Sequence, residues 1–181
     1  QNLIMPPANV KPHDVCAIYQ AEHKENYEHE IRNDIPYTKH RKGAWDELSI
    51  DFISNKDKLP YQEYINYLYN SKVCLSPFGM GEICFRDFEI WATSTIMVKP
   101  TMDLIDTAPN MYIDGKTYFG CQYDWSNLNE VISSIVDDFD NVNEKVTHYA
   151  REQYLKVYDV RNYIEHVVEM FKKINEEETN G

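Results

Sequence analysis

Residues 76–91 combine residue types with a spacing that could bind a phosphate-bearing ligand. They read Ser-Pro-Phe-Gly-Met-Gly-Glu-Ile-Cys-Phe-Arg-Asp-Phe-Glu-Ile-Trp and follow the apolar run Val73-Cys74-Leu75. The pattern predicts a strand, a glycine turn and a helix start, where free backbone N–H groups attract phosphate. Gly79 and Gly81 permit positive φ angles and let a ligand approach the backbone closely.

Three charged residues follow this turn with helical spacing. A helix from Glu82 to Ala92 places Glu82, Arg86 and Glu89 at i, i+4 and i+7, on one face. A carboxylate there can hold sugar or ribose hydroxyls, and a guanidinium can pair with phosphate. The same spacing is also that of a solvated face with an ordinary Glu–Arg pair. The glycines match neither the dinucleotide-binding fingerprint nor the P-loop.

Apolar runs alternate with helical patterns along the whole chain. Strands are predicted at 15–19, 50–53, 73–75 and 95–98, and helices at 38–48, from 60, at 82–92 and three times after 127. This alternation predicts a Rossmann-like α/β three-layer domain with a mostly parallel sheet and a helical C-terminal end. Ligands bind beyond the carboxyl ends of such strands, so we expect the chemistry in the loops after Tyr19, Leu75 and Val98.

The remaining segments predict the domain boundaries. Residues 1–12 hold three prolines and are predicted to be an entry loop or linker, residues 13–175 the domain, and residues 176–181 a disordered tail. The charged residues 24–34 are predicted to form an exposed helix or loop. Asp114-Gly115, flanked by aromatic residues, predicts a hairpin or a looped strand.

Composition excludes several classes of protein. The chain has 181 residues, enough for one domain, and a net charge of −12, which argues against non-specific binding to nucleic acid or to an anionic membrane. No apolar run is long enough to cross a bilayer. The four cysteines have no zinc-like spacing, so we expect no metal site; two lie in apolar runs as buried thiols, which fits a reducing, cytoplasmic location.

The central motif resembles the donor-site region of GT-B glycosyltransferases, most closely the exostosin-like enzymes and the related bacterial family 1 group. The matching residues are Ser71-Lys72-Val73-Cys74-Leu75-Ser76-Pro77, Gly81-Glu82, Arg86-Asp87-Phe88-Glu89 and Ile96-Met97-Val98-Lys99-Pro100. Two features differ: six residues rather than seven separate Glu82 from Glu89, and Ala92-Thr93-Ser94 replaces the usual Ala-Cys-Gly. The resemblance extends more loosely over residues 60–175.

The resemblance implies a donor-nucleotide-binding, C-terminal GT-B domain. Glu89 would hold the ribose of a nucleoside-diphosphate sugar. Arg86 would face the diphosphate or the acidic sugar-binding residues, and together with Glu82 it would act in catalysis. Such enzymes transfer the sugar to a carbohydrate or other hydroxyl acceptor, usually with no metal, so no cofactor is expected.

Further contacts to the donor are implied in the same way. Gly79, Met80 and Gly81 would lie against the donor sugar and phosphates. A basic group at Arg41 and Lys42 would neutralise the diphosphate, although a solvated basic patch has the same composition. Asp138-Phe139-Asp140 matches the DxD metal motif of the other large glycosyltransferase fold, but it follows an amphipathic helix and is interpreted as a solvated helix end.

A GT-B active site lies between two Rossmann-like domains, and this chain has room for one. We therefore expect a separate N-terminal acceptor domain and poor activity of the isolated chain. The alternative is a non-catalytic nucleotide- or sugar-binding module that kept the fold. A signalling domain would need an acidic cluster after the first strand, which is absent, and a hydrolase using Glu82 and Asp87 fails because residues five apart on a helix point to different sides.

Overall fold

The core of the fold is a five-stranded sheet in which every strand pair is parallel. The computed structural model of the chain describes residues 10–21, 36–54, 59–158, 164–165, 167–169 and 171–172. Within these ranges the strands are β1 (His13–Cys16), β2 (Phe52–Ile53), β3 (Ser71–Leu75), β4 (Ile96–Pro100) and β5 (Phe119–Cys121). The predicted Rossmann-like α/β class is confirmed.

Helices cover both faces of this sheet. They are α1 (Pro36–Glu47), α2 (Tyr61–Tyr69), α3 (Phe85–Ala92), α4 (Leu128–Asp137) and α5 (Phe139–Tyr158). Side chains along a strand alternate between the faces. Val73 and Leu75 therefore join the core under α1 and α4, whereas Cys74 joins the core under α2, α3 and α5. The predicted three-layer arrangement and helical C-terminal end are confirmed.

The strand order β2-β1-β3-β4-β5 determines where a crevice opens. Strand β2 lies on one side of β1 and strand β3 lies on its other side. The crossover direction therefore reverses after β2, and the helices that follow β1 and β3 lie on opposite faces of the sheet. This is the doubly wound order of flavodoxin-like sheets, and its switch point lies at the carboxyl ends of β1 and β3. The loops after Cys16 and Leu75 meet at that point.

Helix α3 begins at Phe85, three residues later than predicted. The carboxylate of Asp87 accepts a hydrogen bond from the backbone N–H of Cys84 (3.1 Å), which satisfies one of the free donors at the helix start. Glu82 consequently lies in the loop before α3. The prediction that Glu82, Arg86 and Glu89 share one helix face is therefore wrong, and only Arg86 and Glu89 lie on α3.

The segment around Asp114-Gly115 forms a looped strand. Gly115 has φ of 69°, which explains the glycine at this turn, and β5 follows it parallel to β4. A hairpin would have placed the two flanking segments antiparallel, and only the looped-strand alternative is confirmed.

Several expectations fall partly or wholly outside the described residues. These are residues 1–9 of the entry segment, the charged segment 24–34, most of the third C-terminal helix and the tail 176–181. Residues 164–165, 167–169 and 171–172 are helical. Across the described ranges, no helix has the length and apolar character needed to cross a membrane.

Candidate anion-binding site

A partly buried cation lies at the carboxyl ends of β1 and β3. Arg86, in the first turn of α3, is of intermediate burial and places its guanidinium carbon 5.2 Å from the centroid of the Tyr19 ring, which follows β1. Its Nε and Nη1 atoms are shielded from solvent and have no hydrogen-bond partner in the described part of the chain, and the same holds for the Tyr19 hydroxyl. Leaving such groups unsatisfied costs free energy, so these atoms are candidates for binding an anion or a water molecule.

Glu89 lies one turn further along α3. Its carboxylate accepts a hydrogen bond from the Tyr64 hydroxyl at 2.8 Å. Burial raises the pKa of Tyr64 well above its usual value, with Arg86 opposing and Glu89 reinforcing the shift, so this phenol stays protonated as a donor. Burial and the nearby Glu89 also raise the pKa of Tyr61. A carboxylate held among tyrosines is suited to ligand hydroxyls.

The charged side chains of Glu82, Arg86 and Glu89 do not form ion pairs with one another. Among the ion pairs of the described residues, none joins Arg86 to Glu82 or to Glu89. Glu82 is exposed in the loop that precedes the helix. An ordinary Glu–Arg pair on a solvated face therefore does not describe this helix, and within the described ranges no ion pair joins Arg86 to a carboxylate.

Arg41 of α1 ties the two loops of the switch point together. Its Nε donates to the Phe78 carbonyl at 2.8 Å and its Nη1 to the Gln20 carbonyl at 3.3 Å. A Cβ added at Gly79 would lie 2.8 Å from Arg41 Nη2, so Gly79 gives the guanidinium room. Of the predicted basic pair, Lys42 instead forms an exposed i,i+4 ion pair with Asp46 at 2.8 Å.

The rest of the loop is open to solvent. The Gly79 N–H donates to the Gly81 carbonyl at 2.9 Å, which makes a tight turn. Met80 at its tip is 94% exposed, and a Cβ at Gly81 would meet nothing within 4 Å. Of the described glycines only Gly115 has a positive φ, so Gly79 and Gly81 do not use the positive φ angles that glycine permits.

A buried polar network lies beneath the loop, and sequence reasoning did not assign it to the site. The side chain of Asp87 is fully buried and forms an ion pair with the fully buried Lys99 (3.2 Å). Asp87 also accepts hydrogen bonds from the hydroxyls of Ser76 (2.5 Å) and Tyr112 (2.6 Å). A lysine inside the apolar run Ile96–Pro100 was the available signal, because a lysine buried in a strand requires a partner. No sequence pattern indicates that Tyr112 belongs to this network.

An aromatic cluster anchors α1 at this edge of the sheet. The ring of His40 stacks on Tyr123 and Trp125, each at a centroid distance of 4.5 Å, and Phe78 lies 5.7 Å away. Burial, together with the charges of Arg41 and Lys99, lowers the pKa of His40 to about 4. The imidazole is therefore neutral near pH 7 and forms part of the packed wall.

The cysteines, Asp138 and the possible metal ligands are the remaining candidate groups in the described part of the chain. The four cysteines are free, and Cys16 and Cys74 are buried as predicted. Asp138 lies at the α4–α5 junction, where its carboxylate accepts a hydrogen bond from the Asn141 amide at 2.5 Å. Within the described ranges no group of three or more His, Cys, Asp and Glu side chains is arranged to hold a metal ion.

Comparison with protein-family models and with the sequences of curated proteins gives no match. The site is therefore interpreted from its own geometry. One helix at the switch point of a parallel sheet bears a tyrosine-held carboxylate and a guanidinium whose Nε and Nη1 have no hydrogen-bond partner in the described ranges.

Proposed function

We propose that the chain binds a nucleoside-diphosphate sugar as the donor domain of a GT-B-type glycosyltransferase. The shielded Nε and Nη1 atoms of Arg86, which have no hydrogen-bond partner among the described residues, support this most directly. A diphosphate would supply the anionic acceptors that Nε and Nη1 lack, and charge-assisted bonds of this type are among the stronger polar contacts in proteins. Glu89, one turn away, would accept hydrogen bonds from the ribose hydroxyls.

The proposed reaction moves the sugar from the diphosphate to an acceptor hydroxyl. The bond between the anomeric carbon and the diphosphate oxygen breaks, and negative charge grows on the leaving diphosphate. The acceptor oxygen bonds to the anomeric carbon and loses its proton to a base that the acceptor domain would supply. Arg86 and the N-terminus of α3 would stabilise that charge. Arg41 would add positive potential while holding the loop through its bonds to Phe78 and Gln20. Glu82, exposed on the loop, would contact the sugar end of the donor.

A non-catalytic nucleotide-binding module remains the second candidate. The position of Glu82 outside α3 favours it, because only one acidic residue of the expected pair is then held in a fixed geometry. Two other readings lose support. Residues 17–21 after β1 contain no carboxylate for a phosphoacceptor, although the strand order is flavodoxin-like. Asp87 is committed to Lys99 and is not free for hydrolytic catalysis.

The proposed function also implies a cellular location, an acceptor molecule and a partner domain. The free cysteines fit the cytoplasmic location proposed from the sequence. A carbohydrate or other hydroxyl-bearing molecule would be the acceptor, and an N-terminal GT-B domain would bind it.

Replacing Arg86 by Met tests the anion site. We expect Arg86→Met to weaken binding of the best of uridine, guanosine and adenosine diphosphate by at least about tenfold, since it removes charged hydrogen bonds worth roughly 1.5–3 kcal/mol. The free energy of unfolding should stay unchanged or increase, because a buried charge without a partner is removed. Calorimetric titration and urea denaturation measure the two quantities.

Two matched variants sharpen this test. Lys72→Met removes a cation that is paired with Asp14 near the amino ends of β3 and β1, at the other end of these strands from the candidate site. This variant should leave binding unchanged. Glu89→Gln should weaken binding of the nucleoside diphosphate but not of inorganic pyrophosphate, which has no ribose. Equal binding by wild type and Arg86→Met, or no binding of any diphosphate by wild type, would contradict the proposal.

A further inference from the structure

Both ends of the loop formed by residues 76–84 meet at one buried carboxylate. At the start of the loop, the Ser76 hydroxyl donates to Asp87 Oδ1 at 2.5 Å. At its end, the backbone N–H of Cys84 donates to Asp87 Oδ2 at 3.1 Å. The carboxylate of Asp87 therefore closes the loop that contains Gly79, and it does so from the helix that also bears Arg86.

Two buried groups from outside the loop hold this carboxylate in place. Lys99 Nζ of β4 lies 3.2 Å from Asp87 Oδ2, and the Tyr112 hydroxyl donates to the same oxygen at 2.6 Å. A buried carboxylate needs such partners, because removing one leaves a charge that water cannot reach. Lys99 Nζ also lies 4.9 Å from the centroid of the Phe78 ring, so the ion pair contacts the middle of the loop.

The same pairing occupies the carboxylate that follows Arg86 in sequence. Lys99 and Tyr112 are partners of Asp87, and no ion pair joins Asp87 to Arg86 among the described residues. The loop held in this way presents the Phe78 carbonyl to Arg41, so the position of Arg41 depends on the network.

We propose that Ser76, Asp87, Lys99 and Tyr112 are positioning residues that fix the loop of residues 76–84 and thereby set the affinity of the crevice for diphosphate. The second half of this statement rests on the proposed function, whereas the first half does not. None of the four side chains needs to touch the ligand, since Ser76, Asp87 and Lys99 are buried below the loop.

The test removes one hydroxyl and keeps the ring and the ion pair. Tyr112→Phe deletes the 2.6 Å hydrogen bond to Asp87 without unpairing Lys99, so the variant is expected to fold. Order in the loop is measured through Cys84, since the other three cysteines are buried and Cys84 is the partly exposed thiol at the end of the loop. Its labelling rate with a thiol reagent requires no ligand.

We expect Tyr112→Phe to label Cys84 about tenfold faster and to bind uridine diphosphate about threefold to tenfold more weakly, the range for the loss of one ordinary hydrogen bond, since the deleted bond does not contact the ligand itself. Ile132→Val is the matched control: it removes a methyl group from the core under α4, on the other face of the sheet. It should lower the midpoint of urea unfolding while changing neither the labelling rate nor the affinity.

The outcomes separate the two proposals. Unchanged labelling of Cys84 in Tyr112→Phe overturns the positioning role, and faster labelling with unchanged affinity overturns its link to the ligand. Ser76→Ala, which removes the other hydroxyl, should reproduce both effects. If the wild-type chain binds no diphosphate, the proposed function fails, while the labelling rates still decide whether the network orders the loop.

Discussion

At the scale of single residues, the two glycines of the loop have different reasons to be glycine. Gly79 lies against Arg41, whose Nη2 would be 2.8 Å from an added Cβ, whereas Gly81 has open space around its Cα. Neither has a positive φ. The nearby guanidinium therefore favours glycine at position 79, where a Cβ would displace the end of the Arg41 side chain, and no contact among the described residues requires glycine at position 81.

Alanine substitutions should reveal this difference. Gly79→Ala should displace the Arg41 guanidinium from the Phe78 carbonyl and lower the free energy of unfolding by about 1 kcal/mol, the usual worth of one hydrogen bond. Gly81→Ala should leave it unchanged or raise it by up to about 1 kcal/mol, because alanine restricts the unfolded chain. Urea denaturation of both variants measures the effects, and equal losses would contradict the explanation.

At the scale of elements, α1 is fixed to the carboxyl edge of the sheet by aromatic stacking and by two indole hydrogen bonds. Trp125 Nε1 donates to the His40 carbonyl at 2.9 Å, and Trp45 Nε1 donates to the Ala17 carbonyl at 2.8 Å. The helix consequently delivers Arg41 to the loops. His40, stacked between Tyr123 and Trp125, is the titratable group in this contact.

The docking of α1 should weaken in acid. The pKa of His40 is lowered to about 4 in the folded chain, mainly by burial, from 6.5. Between these values the unfolded chain binds the proton and the folded chain does not, so stability is lost as the pH falls from 6.5 to 4. The ring is only partly buried, so we expect about 1–2 kcal/mol rather than the full equivalent of the shift.

Replacing the imidazole isolates this effect. His40→Phe keeps an aromatic ring in the stack and removes the titration, and His40→Gln removes both. Urea denaturation at pH 7.5 and at pH 4.5 should show that each variant loses less stability on acidification than wild type. The same pH dependence in wild type and both variants would show that His40 does not couple α1 docking to pH.

At the scale of the whole molecule, the described residues form one Rossmann-like unit with an exposed edge next to the candidate site. Met80 and Phe85, which flank the loop and the start of α3, are 94% and 89% exposed. Exposed apolar side chains grouped beside a binding crevice are typical of surfaces that another domain covers. The acceptor domain proposed above would cover this edge.

The isolated chain is accordingly expected to bind the donor nucleotide without transferring sugar. The proposed diphosphate site lies within the described residues, but the acceptor would need a second protein surface to hold its hydroxyl near the anomeric carbon. Release of nucleoside diphosphate from its sugar conjugate, in the presence of mixed saccharide acceptors, should stay at the rate without protein. Robust transfer by the isolated chain would contradict the need for a separate acceptor domain.

The sequence by itself determined the layers of this protein and the region of its site. The alternation of apolar runs and helical patterns predicted a parallel sheet covered on both faces, because these patterns are local. It also placed Arg86 and Glu89 on one helix after a glycine turn. Their proposed roles in binding a nucleotide sugar stay predictions.

Only the tertiary structure decided how that site is built. The order of the strands placed β3 beside β1 and so brought Tyr19 to Arg86. The buried ion pair with Lys99 and the hydroxyl of Tyr112, 25 positions from Asp87, hold the carboxylate that caps α3, and Glu82 lies before the start of that helix. The periodicity of apolar residues predicts local secondary structure, because it depends on residues close together in the sequence. Pairing between buried charges that are distant in the sequence depends on how the helices and strands pack.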